Sequence, residues 1–120
     1  MTQEQKELLL KDLCARLLHN VVMTNKSLPQ THYILTGRDL DEAYFDDDWD
    51  DIPYLRSLSN MTEEERQEYL AECDKDDEDS ITTPRYHGID WLDAHYFDYR
   101  GLIPMDLAIA VTEENNPYKN

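Results

Sequence analysis

The sequence predicts an α+β fold, a single domain over residues 1–120 with about three helices packed on a small antiparallel sheet. A chain of this length suits one domain and is too short for two. Apolar residues make up 40% of it and aromatic residues 10%, which supports a hydrophobic core despite the high charge. Runs with helical spacing and short β-branched or aromatic runs both occur, so both kinds of element are expected.

The first helix is predicted over residues 3–18. Thr2 can act as its N-cap, and Gln5 at the third helical position completes a capping box. The apolar stripe has the spacing i, i+3, i+4, i+7 and consists of Leu10, Leu13, Cys14 and Leu17. The opposite face is expected to be solvated and carries Glu4, Lys6, Lys11 and Arg16.

Three short strands are predicted next, at residues 21–23, 32–36 and 43–45. These runs are rich in the β-branched and aromatic residues that favour strands. Residues 46–59 are expected to form an ordered surface loop, because Pro53 lacks the N–H that a central strand uses.

A second helix is predicted from residue 63 to about residue 72 or 73. Thr62 and Glu65 form its capping box, and Tyr69, Leu70 and Cys73 are expected to face inward. The acidic run after it indicates a flexible connector at residues 74–84. A last helix is predicted over residues 90–100, ended by Gly101. A helical turn and an extended edge segment follow at residues 102–111, and residues 112–120 form a frayed tail.

The charge balance restricts the possible partners. Acidic residues number 27 against 11 basic ones, and the net charge of −16 opposes contact with phosphate backbones and anionic membranes. The sequence shows no signal peptide and no apolar run that could span a bilayer. Cys14 and Cys73 lack CxxC spacing and are typical of reduced core thiols, a disulfide between them being the alternative. We therefore expect a cytoplasmic protein without cofactor whose partner is a basic protein.

The most distinctive segment is DLDEAYFDDDWDD at residues 39–51, where eight of thirteen residues are acidic and three are aromatic. Its carboxylates can steer a basic partner, and an exposed Trp49 can anchor the contact. If Trp49 is buried, the segment clamps the fold and the interface loses that anchor. The predicted contact residues are Tyr44, Asp46, Asp47, Asp48, Trp49, Asp50, Asp51 and Tyr54.

Two alternative functions use the same acidic residues. Carboxylates along residues 39–51 and 63–79 can imitate the phosphates of a nucleic acid and so inhibit a DNA- or RNA-binding protein. The five aspartates between residues 46 and 51 can also bind a divalent cation. An EF-hand loop starting at Asp46, however, requires Gly and Glu at the positions of Asp51 and Ser57.

Catalysis is not predicted from the sequence. It contains no GxSxG, Walker A, dinucleotide or HExxH motif. The remaining acid–base candidates pair His87 or His95 with Asp90 or Asp98, and ordinary surface or core histidines are the simpler interpretation.

Three phrases of the sequence carry a family resemblance: KDLCARL at residues 11–17, YFDDDWDDIPYLRSLSNMTEEER at residues 44–66 and HGIDWLDAHYFDYRGLI at residues 87–103. In these phrases, roughly 40% of the chain, it resembles a family of small acidic proteins encoded by gut Bacteroides-type bacteria and their phages or mobile elements. That family has no assigned function, so the resemblance implies no catalytic or ligand residues. The mobile-element setting implies, by analogy, an inhibitor or anti-defence role.

Overall fold

A mixed sheet of five strands and four helices form the fold in the computed structural model, which describes residues 1–76 and 87–118. The helices are α1 (Gln3–Arg16), α2 (Gly37–Phe45), α3 (Glu63–Asp76) and α4 (His87–Ala94). The strands are β1 (Val22–Asn25), β2 (Leu28–Ile34), β3 (Asp51–Ser57), β4 (Phe97–Asp98) and β5 (Ile109–Ala110).

The sheet has the strand order β2-β1-β3-β4. Strand β5 also pairs with β3, at residues 54 and 55, whereas β4 pairs with residues 56 and 57. Strand β1 is antiparallel to β2 and to β3, whereas β4 and β5 are both parallel to β3. The predicted α+β class is therefore confirmed. The sheet is mixed and not antiparallel as predicted, and the predicted count of about three helices is not exact.

The main core lies between α1 and the sheet. Helix α1 begins with the predicted capping box of Thr2 and Gln5. The fully or almost fully buried apolar residues of this core are Leu9, Leu13, Val21, Met23, Leu35, Ile52, Leu55, Leu102, Leu107 and Ala108. Burial of such a set is the dominant favourable contribution to folding.

The charged residues of α1 do not follow the predicted solvated face. Arg16 is fully buried and Lys6 is 8% exposed, while Cys14 of the predicted apolar stripe is exposed. Cys14 and Cys73 are both free thiols. The physical reason is that both basic side chains find acceptors inside the fold, as described below.

Residues 43–45 form the end of α2 and not the predicted third strand. Thr36 caps this helix: its hydroxyl accepts from the Asp39 N–H at 3.3 Å, and the Asp39 carboxylate accepts from the Thr36 N–H at 2.9 Å. The capped start outweighs the β-preference of the aromatic residues that follow. Of the residues in α2, Ala43 is the one that is buried.

The predicted loop at residues 46–59 contains β3, in which Pro53 lies opposite Met23 of β1. The Leu35 N–H donates to the Val21 carbonyl, so Val21 and Met23 direct their backbone groups toward β2. The pairing of Met23 with Pro53 therefore needs no N–H from the proline. The other edge of β3 pairs with β5 from Tyr54 onward, one residue after the proline, so the missing N–H falls before that ladder begins.

Helix α3 starts with the predicted capping box of Thr62 and Glu65. Tyr69 and Cys73 are half-buried as expected, whereas Leu70 is exposed. Residues 74–76 of the predicted connector belong to α3, and its remaining residues lie outside the described part of the chain.

Helix α4 ends at Ala94, six residues before the predicted end. Tyr96 has φ of 64°, a left-handed conformation that stops the helix and turns the chain into β4. The Asp98 carboxylate then accepts from the backbone N–H groups of Leu102 and Ile103, both at 2.9 Å. Gly101 (φ 78°) lies in this second turn.

The tail predicted to be frayed contains a buried contact at Tyr118. Its hydroxyl accepts from the Val22 N–H at 3.0 Å and donates to the Tyr54 carbonyl at 2.7 Å, so it bridges β1 and β3. Its ring also stacks on Tyr96 at 3.8 Å between centroids. Tyr118 is thereby tied to the sheet, a contact that the expectation of a frayed tail did not include.

Candidate protein-interaction site

An exposed aromatic pair lies at the C-terminal end of α2. Tyr44 is 67% exposed and Phe45 is 77% exposed, and their rings meet edge to face at 5.0 Å between centroids. The side chains leave the core because α2 buries Ala43, which lies just before them. We call Tyr44, Phe45 and the three following aspartates, Asp46, Asp47 and Asp48, the acidic corner.

The backbone of the acidic corner is held by local hydrogen bonds. The Asp46 N–H donates to the Glu42 carbonyl, and the Asp46 carboxylate accepts from the Asp48 N–H at 2.9 Å. The Trp49 N–H donates to the Asp46 carbonyl at 3.2 Å. The carboxylates of Asp47 and Asp48 are exposed and have no hydrogen-bond or ion-pair partner among the described residues.

Lys6 supports the acidic corner from α1. Its ammonium donates to the backbone carbonyl of Asp46 at 2.8 Å, which also accepts from the Trp49 N–H, and to that of Tyr44 at 3.4 Å, which lies in the last turn of α2, where the helix supplies no N–H donor. This lysine therefore binds to the backbone and leaves the aspartate carboxylates of the corner without an ion pair.

Trp49 is bound to the fold and is only partly exposed. It is half-buried against the main core, and its Nε1–H donates to the Asp51 carbonyl at 3.0 Å. The neighbouring acids are also used internally: Asn25 Nδ2 donates to the carboxylates of Asp50 and Asp51, each at 2.7 Å. We call Trp49, Asp50 and Asp51, which bond within the fold, the clamp; the half-buried Trp49 lies between the exposed and buried cases expected for it.

Two tyrosines complete the interior side of this clamp. The Tyr33 hydroxyl donates to the Asp51 carboxylate at 2.6 Å; burial first and this hydrogen bond second raise the pKa of Tyr33 well above its ordinary value. Tyr54 is 4% exposed, and its hydroxyl donates to the Pro29 carbonyl. His32 Nε2 lies 3.1 Å from the same hydroxyl.

The structure thus divides the predicted contact residues into two groups. Tyr44 and Asp46–Asp48 lie together on the surface, whereas Trp49–Asp51 and Tyr54 are held in the fold. Phe45 is an exposed member that the sequence prediction did not include. The sequence gave no separate signal for its exposure, because a strand was expected at residues 43–45.

A second polar cluster lies inside the protein, between α1 and the segment around β4. Arg16 Nε and Nη2 donate to the two oxygens of Asp12 at 2.8 and 3.1 Å, and Nη2 also donates to the Phe97 carbonyl. Arg100 donates to Asp12 at 2.7 Å. Both members of the Arg16–Asp12 pair are fully buried, so the centre of this cluster is part of the core.

The same cluster continues to Asp93 and Tyr99. The Tyr99 hydroxyl donates to Asp93 Oδ1 at 2.7 Å. Burial raises the pKa of the Asp93 carboxyl, while Tyr99 and the nearby arginines act in the opposite direction. Burial also raises the pKa of Tyr99. The arrangement orients side chains between α1, α4 and β4, which is a structural role.

The other chemical candidates are not assembled in the described residues. No group of three or more His, Cys, Asp or Glu side chains converges there in a way that could hold a metal ion. His95 stacks on Trp91 at 4.0 Å and places Nδ1 2.9 Å from the Trp91 carbonyl. The Asp98 carboxylate is occupied by the turn that follows β4.

Comparison with protein-family models, curated proteins and solved structures finds no match for this chain. Among the described helices, none combines the length and the apolar character needed to cross a membrane.

Proposed function

We propose that this protein is a non-catalytic binding module that docks its acidic corner on a basic protein surface. The observation that supports this proposal best is the exposed Tyr44–Phe45 pair beside aspartates that no cation of the described residues neutralises. Exposed aromatic rings are the side chains most often found at energetic centres of interfaces. Carboxylates around them favour a partner of opposite charge.

The charge of the whole chain acts in the same direction. A net charge of −16 accelerates encounter with a basic surface and slows encounter with an acidic one. Such steering is screened by salt over about 8 to 10 Å at physiological ionic strength. Binding through the acidic corner is therefore expected to weaken as the salt concentration rises.

A pair of charge variants tests this proposal. Asp47→Asn with Asp48→Asn removes two exposed charges of the corner, and Glu64→Gln with Glu68→Gln removes two exposed charges of α3 as a matched control. Each tagged protein is used to capture partners from a lysate of its host, with quantification by mass spectrometry. The proposal predicts that the same basic protein is depleted by the first variant and retained by the second.

Equal depletion by both variants would contradict docking at the corner. If duplex DNA or RNA then also displaced the captured protein, the nucleic-acid mimic would replace the present proposal, because that function uses acids along both segments.

A further inference from the structure

A cleft of about 290 Å³ separates the first turns of α1 from the acidic corner. Its walls come from two elements that are about forty residues apart in sequence. The lining residues are Gln3, Lys6, Glu7, Leu10, Tyr44 and Asp47.

The walls combine apolar surface with two carboxylates. Leu10 is half-buried, and the Tyr44 ring is largely exposed beside it. Glu7 is exposed on α1, where its carboxylate accepts from Gln3 Nε2 at 3.3 Å. The Asp47 carboxylate, from the other wall, has no partner among the described residues. A ligand in this cleft therefore meets an aromatic face, an aliphatic side chain and two negative charges.

Lys6 is the basic residue in the lining, but the residue as a whole is only 8% exposed. Its ammonium donates to the carbonyls of Tyr44 and Asp46. These carbonyls end α2, where the helix dipole places a partial negative charge of about half an electron. The backbone thus offsets part of the lysine charge, and the carboxylates of Glu7 and Asp47 leave the lining of the cleft with a net negative charge that favours a cation.

We infer that this cleft receives one arginine side chain of the basic partner, an inference that rests on the proposed function. The guanidinium is planar and weakly hydrated, so it can stack on the Tyr44 ring while donating to Glu7 and Asp47. Its three methylene groups then lie against Leu10. A lysine ammonium is a compact, strongly hydrated charge and makes poorer use of an aromatic wall with two separate acceptors.

Titration with a small probe tests this inference without the partner. ¹⁵N-labelled protein is titrated with Nα-acetyl-arginine amide, with the corresponding lysine amide and with the citrulline amide, which keeps the shape of arginine without its charge. We expect saturable shifts of the Glu7, Leu10 and Asp47 amides with a Kd on the order of millimolar, a range usual for so small a ligand. The arginine amide should bind at least about threefold more tightly than the lysine amide, and the citrulline amide should not saturate.

Variants then locate the binding. Glu7→Gln with Asp47→Asn should raise the Kd of the arginine amide by at least about fivefold, and Tyr44→Ser should also raise it. The control Glu64→Gln with Glu68→Gln should leave the Kd unchanged, and the dispersion of each spectrum shows whether the variant is folded. Shifts that spread over all acidic segments without saturation would overturn the inference, as would equal affinity for arginine and lysine amides.

The two proposals fail separately. If partner capture depends on the acidic corner while the arginine amide causes no saturable shifts in the cleft, the docking function stands and the arginine site is wrong. If the arginine amide binds in the cleft while partner capture is insensitive to the corner, the site stands and the docking function is wrong.

Discussion

Replacement of Arg16 by methionine is the most informative perturbation of the fold. The wild-type guanidinium is fully buried, forms a two-point ion pair with the fully buried Asp12 and donates to the Phe97 carbonyl. Methionine fills similar space without a charge. The variant therefore leaves the Asp12 carboxylate in the interior with Arg100 as its ion-pair partner, and it leaves the Phe97 carbonyl without this donor.

Breaking a buried ion pair by removing one partner typically costs about 3 to 5 kcal/mol. Two features place Arg16→Met at the lower end, near 3 kcal/mol by this rule. Arg100 continues to pair with Asp12, at 2.7 Å. In addition, Arg16 Nη1 has no hydrogen-bond partner among the described residues, so the native cluster is not fully satisfied. Small domains have unfolding free energies of about 5 to 15 kcal/mol, so the loss is a large part of the total.

Urea denaturation monitored by tryptophan fluorescence measures this loss. With a slope of about 1 to 3 kcal/mol per molar urea, the midpoint should fall by about 1 to 3 M. Arg38→Met is the control, because the Arg38–Glu42 pair is exposed and 3.7 Å long and should contribute less than about 0.5 kcal/mol. A loss below about 1 kcal/mol for Arg16→Met would refute the structural role assigned to this cluster.

Three further results are expected. Tyr118→Phe removes the hydroxyl that bridges β1 and β3, so thermal or urea denaturation should show a loss of about 1 to 3 kcal/mol; a change under about 0.5 would argue against the bridge. The Arg56 guanidinium holds the pKa of Glu65 at about 2 against an ordinary 4.5, so this stabilisation is present above pH 4.5 and declines as the pH falls toward 2. Glu65→Gln should flatten that part of the pH dependence of unfolding. In the native protein Cys14 should react with a thiol reagent faster than Cys73, and protection of Cys14 until denaturant is added would contradict its exposure.

Local signals in the sequence were sufficient where the stabilising contacts are themselves local. Thr2 with Gln5 and Thr62 with Glu65 are three residues apart, and both capping boxes form as predicted. The third box, at Thr36, uses Asp39 at the position usually taken by Glu or Gln. It was missed, and residues 43–45, the end of α2, were predicted as a strand because of their aromatic residues.

Long-range contacts account for the main errors. Arg16 and Lys6 were assigned to a solvated face, since helical periodicity treats charged residues as exposed. Their acceptors include the carbonyls of Phe97 and Asp46, which are 81 and 40 residues away in sequence. Pro53 was judged only by its missing N–H, whereas the pairing register with β1 makes that N–H unnecessary.

The candidate site was predictable only in part, because it also depends on contacts between residues far apart in the sequence. Composition alone indicated Tyr44 and the aspartates that follow it, because acidic and aromatic residues are mixed there in one short segment. Composition did not distinguish the exposed Phe45 from the half-buried Trp49. This difference in exposure depends on how α2 ends and on the hydrogen bond that Trp49 Nε1–H donates. Glu7 joins the cleft through the packing of α1 beside the corner and has no signal in that segment.

The most direct test of docking through the acidic corner removes its aromatic pair. Tyr44→Ser with Phe45→Ser is compared with Leu28→Ser and Ile34→Ser, which removes two exposed apolar side chains of β2, each 53% exposed. Host-lysate proteins captured by each variant are quantified at about 50 mM and about 500 mM salt, across which the screening length falls severalfold. Docking through the acidic corner predicts that one basic protein, captured by the wild type at low salt, is lost with the first variant and retained with the second. Retention of that protein by the first variant would contradict it.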